Sequence, residues 1–174
     1  MTSNRDCQRQ RLYDAEDGVC RMFERANSVE ATHGPVGRQV QIHGSSVVLP
    51  VERKFGDLAG VQRYCDQVLA LPSVRAAFAQ AAYPITCRER QSAHRAHYEV
   101  LGAVIAIPAS KRGGRFTMRE LYVLHEIAHH LTPDDPGHGP AFAAAYVELA
   151  EIVLGPETAF VLRAALLDGG VRIG

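Results

Sequence analysis

The sequence predicts an α+β fold in which one helix carries the functional residues. Three observations lead to this prediction. Segments with helical periodicity lie near both ends of the chain, short strand-like segments lie between them, and the run HEIAH from His125 to His129 falls on an amphipathic stretch. At 174 residues and 47% hydrophobic, the chain suits one domain with a real core. We expect a single domain over residues 1–174, with N-terminal elements over about 1–84 and a metal-site core over about 85–154.

Periodicity and turn residues locate the individual elements. The predicted helices are Asp14 to Ala26, Asp57 to Leu71, a segment capped by Ser73 and running through Ala82, Thr117 to Leu131, Pro140 to Leu154, and Pro156 to Leu167. The predicted strands are Gln39 to Ile42, Val47 to Val51 after a turn at Gly44-Ser45, Thr86 to Arg90, His94 to Val100, and Ala103 to Pro108. We expect these strands to form a small, mainly antiparallel sheet with flanking helices.

The last of these strands, Ala103 to Pro108, allows two interpretations. It ends at a proline, as an edge strand can, and an edge strand could pair with an extended substrate. An ordinary buried strand explains the same residues equally well.

The HEIAH run is the most informative feature of the chain. On a helix, His125 and His129 lie about one turn apart and can reach one metal ion, while Glu126 stands beside them and can hold a water molecule. Thr117 and Glu120 have the spacing of a capping box, and Pro133 ends the helix. One apolar stripe would face the core: Leu121, Leu124, Ile127, Ala128 and Leu131.

A third ligand is expected beyond the turn that follows this helix. The run from Thr132 to Gly137 has a turn-forming composition that can bring His138 back to the first two histidines, and Pro140 then suits a new helix start. Three histidines leave a fourth position for water, as in catalytic zinc sites. The alternative is a carboxylate from Glu148 or Glu151, which otherwise belong to a solvated helix face. His130 falls beyond the ligand pair and is expected to support a ligand or to be exposed.

A family resemblance covers residues from about Tyr98 to Glu148. The HEIAH run, followed by Asp135, by His138-Gly139-Pro140 and by Phe142, resembles the SprT-like zincin pattern and a small family of uncharacterised bacterial HExxH metallohydrolases. The resemblance implies a zincin-like fold, one Zn²⁺ ion bound by His125, His129 and His138, and Glu126 as general base. The chain lacks a C-terminal zinc ribbon and the glycine-containing HExxHxxGxxH spacing of metzincins.

We therefore expect a zinc-dependent metallohydrolase, with a metallopeptidase that cleaves peptide bonds as the leading interpretation. Zinc would activate water while Glu126 accepts its proton. Two alternatives remain open: a catalytically idle zincin-fold module that binds proteins, and a SprT-like protease that acts on DNA-bound proteins. Tyr146 could donate to an oxyanion, although core packing is the simpler role, and His94, His97, Tyr98 and Glu99 are expected to be ordinary strand residues.

The charge and hydrophobicity of the chain argue against two classes of binding partner. Nineteen basic and nineteen acidic residues cancel, so a nucleic-acid partner is not expected, and no apolar segment is long enough to suggest a membrane partner. The basic cluster is expected in a solvated loop: Lys111, Arg112, Arg115 and Arg119. The four cysteines form no C-x-x-C pair and are expected to be free thiols: Cys7, Cys20, Cys65 and Cys87. A polar N-terminus makes a cytoplasmic location the expectation. A peptide or protein substrate is the expected partner, and nothing indicates the oligomeric state.

Overall fold

The computed structural model describes residues 6–33, 38–91, 95–108, 118–135 and 137–174. The described helices are α1 (Arg9–His33), α2 (Leu58–Ala70), α3 (Pro72–Ala77), α4 (Glu120–Leu131), α5 (Pro140–Leu154) and α6 (Pro156–Asp168), with a 3₁₀ helix at Ala79–Ala82. The described strands are β1 (Gln39–Ile42), β2 (Ser45–Val48), β3 (Thr86–Arg90), β4 (His97–Glu99) and β5 (Val104–Pro108). This arrangement confirms the α+β class.

The chain divides into two compact units, one formed by Met1–Val51 with Gly137–Gly174 and the other by Glu52–Pro136. The single-domain organisation stays a prediction. In the first unit, α1 packs against α6, which also packs against α5. Leu12, Val19 and Phe23 form the fully buried stripe of α1, at spacings that return to one helix face. This helix extends from Arg9 to His33 and is longer than the predicted helix, Asp14 to Ala26.

The hairpin β1–β2 also belongs to the first unit. Its strands are antiparallel, with Ile42 opposite Ser45, so only His43 and Gly44 form the turn. Both turn residues have positive φ, 48° and 80°, which is the backbone twist that two-residue hairpins require. The second strand therefore begins at Ser45 and ends at Val48, earlier than the predicted segment Val47 to Val51.

In the second unit, α2 begins as predicted. The Asp57 side chain accepts a hydrogen bond from the backbone N–H of Gly60 at 2.6 Å, which is N-cap geometry. The predicted Ser73 cap is wrong: Leu71 occupies the cap position and Pro72 the first turn of α3. A proline pre-sets the φ of a first helical turn, so the helix starts one residue before Ser73. The predicted single helix through Ala82 is divided into α3 and the 3₁₀ helix.

The three-stranded sheet of the second unit has the order β3-β5-β4. Strand β5 pairs in parallel with β3 and antiparallel with β4, so the prediction of an edge strand there is wrong. Its residues Ile105, Ala106 and Ile107 are at most 1% exposed, which fits the alternative of a buried strand. Pro108 is tolerated because it is the terminal residue of the strand.

Helix α4 begins at Glu120 rather than Thr117, which lies outside the described residues. Arg119 is the N-cap, and its own side chain makes no capping hydrogen bond. The capping-box prediction therefore fails at Glu120, whose carboxylate instead accepts a hydrogen bond from the backbone N–H of Arg53 at 2.9 Å. The predicted apolar stripe is confirmed, since each of its five members is at most 6% exposed.

Arg119 was expected in a solvated loop, and this expectation is wrong. The side chain is 1% exposed and forms an ion pair with Glu52, which is 0% exposed. Nε and Nη2 of the guanidinium donate to the carboxylate at 2.5 to 3.2 Å. A buried guanidinium needs a partner of opposite charge. Glu52 lies 67 residues from Arg119 in the sequence, so the residues around α4 could not predict this ion pair. Lys111, Arg112 and Arg115 lie outside the described residues.

Candidate metal centre

Two of the predicted ligands are positioned by α4. His125 is 2% exposed, His129 is half-buried, and their ring centroids lie 5.1 Å apart. This separation follows from the four-residue spacing, which returns nearly to the same helix face. Glu126 is 6% exposed and follows His125 on the same helix. The helix therefore presents two imidazoles close together, with a carboxylate adjacent in the chain.

The third histidine completes the group. After α4 the chain turns, with the backbone N–H of Asp135 donating to the carbonyl of Thr132 at 3.0 Å, and His138 follows shortly before α5. One ligand atom from each of His125, His129 and His138 lies within 4.8 Å of the others. The three histidines are thus close enough to bind one metal ion. Pro136, part of the predicted turn, lies outside the described residues.

The rival carboxylates are not part of this group. Glu148 and Glu151 are exposed on α5, and among the described residues the cluster that could hold a metal contains His138 and neither glutamate. Both glutamates lie on a solvated helix face, which was the other interpretation of these two residues.

The donor set is chemically suited to a transition metal. Imidazole nitrogens bind zinc, and also copper, nickel and iron, whereas calcium and magnesium prefer oxygen ligands. Two of the three histidines, His125 and His138, are at most 5% exposed. The cluster therefore defines a candidate transition-metal centre.

The surroundings of His138 include a residue that the sequence did not reveal. A carboxylate oxygen of Asp6 lies 2.5 Å from Nδ1 of His138. Tyr13 and Phe142 meet the same ring edge-on, each at a centroid distance of 5.0 Å. Asp6 lies 132 residues from His138, so no local pattern could have linked them. Phe142, which is part of the SprT-like sequence pattern, packs against the His138 ring.

His130 is neither exposed nor part of the metal-binding group. Its side chain is 1% exposed; Nδ1 lies 2.9 Å from the Tyr98 hydroxyl, and Nε2 lies 3.1 Å from the carbonyl oxygen of Tyr83. A carbonyl only accepts, so Nε2 carries the proton and Nδ1 accepts from Tyr98. Burial lowers the pKa of His130 and favours this neutral form. Exposure, one of the two expectations, is wrong, and the histidine joins α4 to β4.

The other candidate residues have structural partners. Tyr146 is fully buried, and its hydroxyl donates to Glu16 at 2.6 Å, in agreement with a packing role. Glu99 forms an ion pair with Arg88. His97 is exposed on β4, whereas His94 lies outside the described residues.

The four cysteines are free thiols. The sulfur atoms of Cys65 on α2 and Cys87 on β3 lie 3.8 Å apart. A hydrogen bond from Cys65 lowers the pKa of Cys87, while the same contact and burial raise the pKa of Cys65. Neither belongs to the histidine cluster. Within the described part of the chain, no helix has the length and apolar character needed to cross a membrane.

Comparison of the chain with protein-family models, with curated proteins and with solved structures gives no match.

Proposed function

We propose that this protein is a zinc-dependent metallohydrolase of the zincin-like type, and that it acts as a metallopeptidase. The observation that carries the proposal is the convergence of His125, His129 and His138, whose ligand atoms lie within 4.8 Å of one another. The two α4 histidines have the spacing of zinc-hydrolase motifs, and three imidazoles suit a catalytic zinc ion with one further position. When bound, such an ion acidifies water and polarises a carbonyl group.

Glu126 is proposed as the general base. Its carboxylate follows His125 directly in the sequence, and the residue is 6% exposed, so it acts in a largely water-excluded environment. It would accept a proton from the attacking water and deliver it to the amide nitrogen as the peptide bond breaks. Retention of a glutamate here supports an enzyme over an idle binding module, because binding alone requires no base.

A peptide substrate would pair with β4 rather than with β5. Among the described strands, β4 is an edge of the three-stranded sheet, and it pairs only with β5. Tyr98 on β4 contacts His130 on α4, one residue beyond His129. Exposed strand edges bind extended peptides through main-chain hydrogen bonds. This edge supports a peptide substrate.

The test measures metal content and hydrolysis in the same preparations. About one equivalent of zinc should copurify with the wild type, and His125→Ala or His129→Ala should abolish it. Glu126→Gln should retain zinc while cleavage of a responsive peptide from a mixed library falls by at least about 10²-fold. Glu148→Gln is the matched control, since it makes the same change at an exposed helix position and should alter neither property.

Stoichiometric zinc in both histidine variants would refute the metal site. Zinc binding without cleavage of any library peptide would favour the binding module. Selective cleavage of DNA-bound proteins would favour the SprT-like alternative.

A further inference from the structure

The N-terminal segment that precedes α1 is tied to His138 at two points. The Asp6 carboxylate lies 2.5 Å from Nδ1, and the side-chain amide of Gln8 donates to the His138 carbonyl at 2.7 Å. One contact holds the imidazole and the other holds the backbone of the same residue. Because both come from one short segment, the ring is fixed relative to its own main chain.

Gln8 also anchors this segment independently of Asp6. It is 4% exposed, and its amide group donates to the carbonyl of Arg172 and accepts from the backbone N–H of Arg172, both at 3.1 Å. A buried amide with three hydrogen bonds has few other conformations, since a change would leave polar groups unpaired. Asp6, two residues earlier, is thereby held close to the ring.

The Asp6 contact determines which nitrogen of His138 can bind a metal. A carboxylate only accepts, so Nδ1 carries a proton, and the lone pair of the neutral ring lies on Nε2. The negative charge also makes the imidazole a stronger donor toward a cation. The side chain of His138 is 6% exposed and that of Asp6 is 26% exposed, so solvent screens the contact only in part.

We propose that Asp6 is a positioning residue of the metal centre, which holds His138 in the Nδ1–H tautomer with Nε2 as its metal-binding nitrogen. This inference rests on the metal site of the proposed function, although it does not require peptide hydrolysis. The N-terminal segment is accordingly part of the site, although it lies far from the HEIAH motif in sequence.

The experiment compares zinc affinity in Asp6→Ala, Asp6→Asn and Asp14→Ala, measured with a chromogenic chelator as competitor. Asp6→Ala should bind zinc about 10- to 100-fold more weakly than the wild type. Asp6→Asn should lie between them, because its amide oxygen can accept the same hydrogen bond without the charge. Asp14→Ala is the control: it removes an exposed carboxylate from the following helix, where Asp14 contacts Gln10 instead of His138.

A second readout separates positioning from general stability. In the zinc-free wild type, nitrogen chemical shifts should show His138 protonated on Nδ1, and Asp6→Ala should lose this preference while the tautomer of His130 stays unchanged. A merely structural role for Asp6 would not move the His138 tautomer alone. His138 protonated on Nε2 in the wild type would overturn the inference.

The outcomes distinguish this inference from the proposed function. Equal zinc affinity in Asp6→Ala and wild type overturns the positioning role and leaves the metallopeptidase proposal intact. Weaker zinc binding in Asp6→Ala, in a protein that cleaves no peptide, supports the positioning role and counts against the peptidase. A wild type that binds no zinc overturns both.

Discussion

The two ends of α4 both bury polar groups, and they do so in different ways. At its start, Arg119 is paired with Glu52, and Glu120 accepts a backbone hydrogen bond, so buried charges meet opposite charges or donors. Toward its end, histidines from α4 and from the residues that follow it converge to within 4.8 Å. At the start of the helix, partners within the protein offset the desolvation cost of the buried charges. Toward its end, the three histidines are suited to bind a metal cation. Burial alone therefore does not mark a functional residue; the chemistry of the partners does.

The largest effect is expected at the start of the helix. Arg119→Met should lower the free energy of unfolding by about 3–5 kcal/mol, because Glu52 would remain buried without its counter-charge. Urea denaturation of the zinc-free protein measures this effect. Arg53→Met is the control, since the side chain of that arginine is 64% exposed and its pairing with Glu120 should contribute at most about 1 kcal/mol.

A double variant distinguishes loss of the ion pair from a general folding defect in Arg119→Met. Glu52→Gln together with Arg119→Met removes both charges and should recover most of the lost stability. Equal stability of the Arg119 single variant and the wild type would mean that the two ends of α4 do not differ as described.

A smaller effect is expected at His130, which tests whether every histidine at the end of α4 serves the metal. His130→Phe should cost about 1–3 kcal/mol, because it leaves the Tyr98 hydroxyl and the Tyr83 carbonyl without this partner. Zinc content should stay at the wild-type level. His97→Phe, at an exposed position of β4, should change neither property. Loss of zinc in a folded His130→Phe protein would show that the metal centre extends further along the helix.

The smallest effect is a pH dependence at Glu120. Burial raises the pKa of this carboxyl group above its ordinary value. Its contribution to stability is therefore full below the unfolded-state pKa of about 4.3 and is lost as the pH rises through the folded-state value. Glu120→Gln cannot ionise and keeps an acceptor for the Arg53 N–H, so wild type should lose stability relative to this variant as the pH rises above about 4.3. Urea midpoints at several pH values measure the difference.

Exposed Glu148→Gln provides the baseline for this pH series. A constant difference between wild type and Glu120→Gln across the same range would show that Glu120 titrates normally despite its burial.

Local patterns predicted the elements that depend on nearby residues. The HEIAH helix, its apolar stripe, the Pro140 helix start and the helix after Asp57 follow from spacings of a few residues. The bounds of α4 were less accurate, since Glu120 is held by Arg53 in place of a capping box. Competing tertiary contacts of this kind leave no trace in a short window of sequence.

The distant parts of the site could not be predicted for the same reason. Asp6 and His138 are separated by 132 residues, and Glu52 and Arg119 by 67. A single aspartate in a polar segment has no periodicity to distinguish it. Of the two interpretations of Ala103 to Pro108, the edge strand was wrong and the buried strand was right; the sequence left both open because strand order depends on pairing across the sheet, which one strand's residues do not encode.

The central position of β5 also bears on self-association of the protein. Its run Val104-Ile105-Ala106-Ile107 is short, uncharged and rich in β-branched residues, a composition that promotes intermolecular strand addition when it is exposed. In the folded sheet β5 is covered by β3 and β4, and β3 carries Arg88, Glu89 and Arg90. Charged side chains on an edge strand disfavour cross-molecular pairing. The native fold therefore keeps this aggregation-prone segment paired, and partial unfolding of the sheet would expose it.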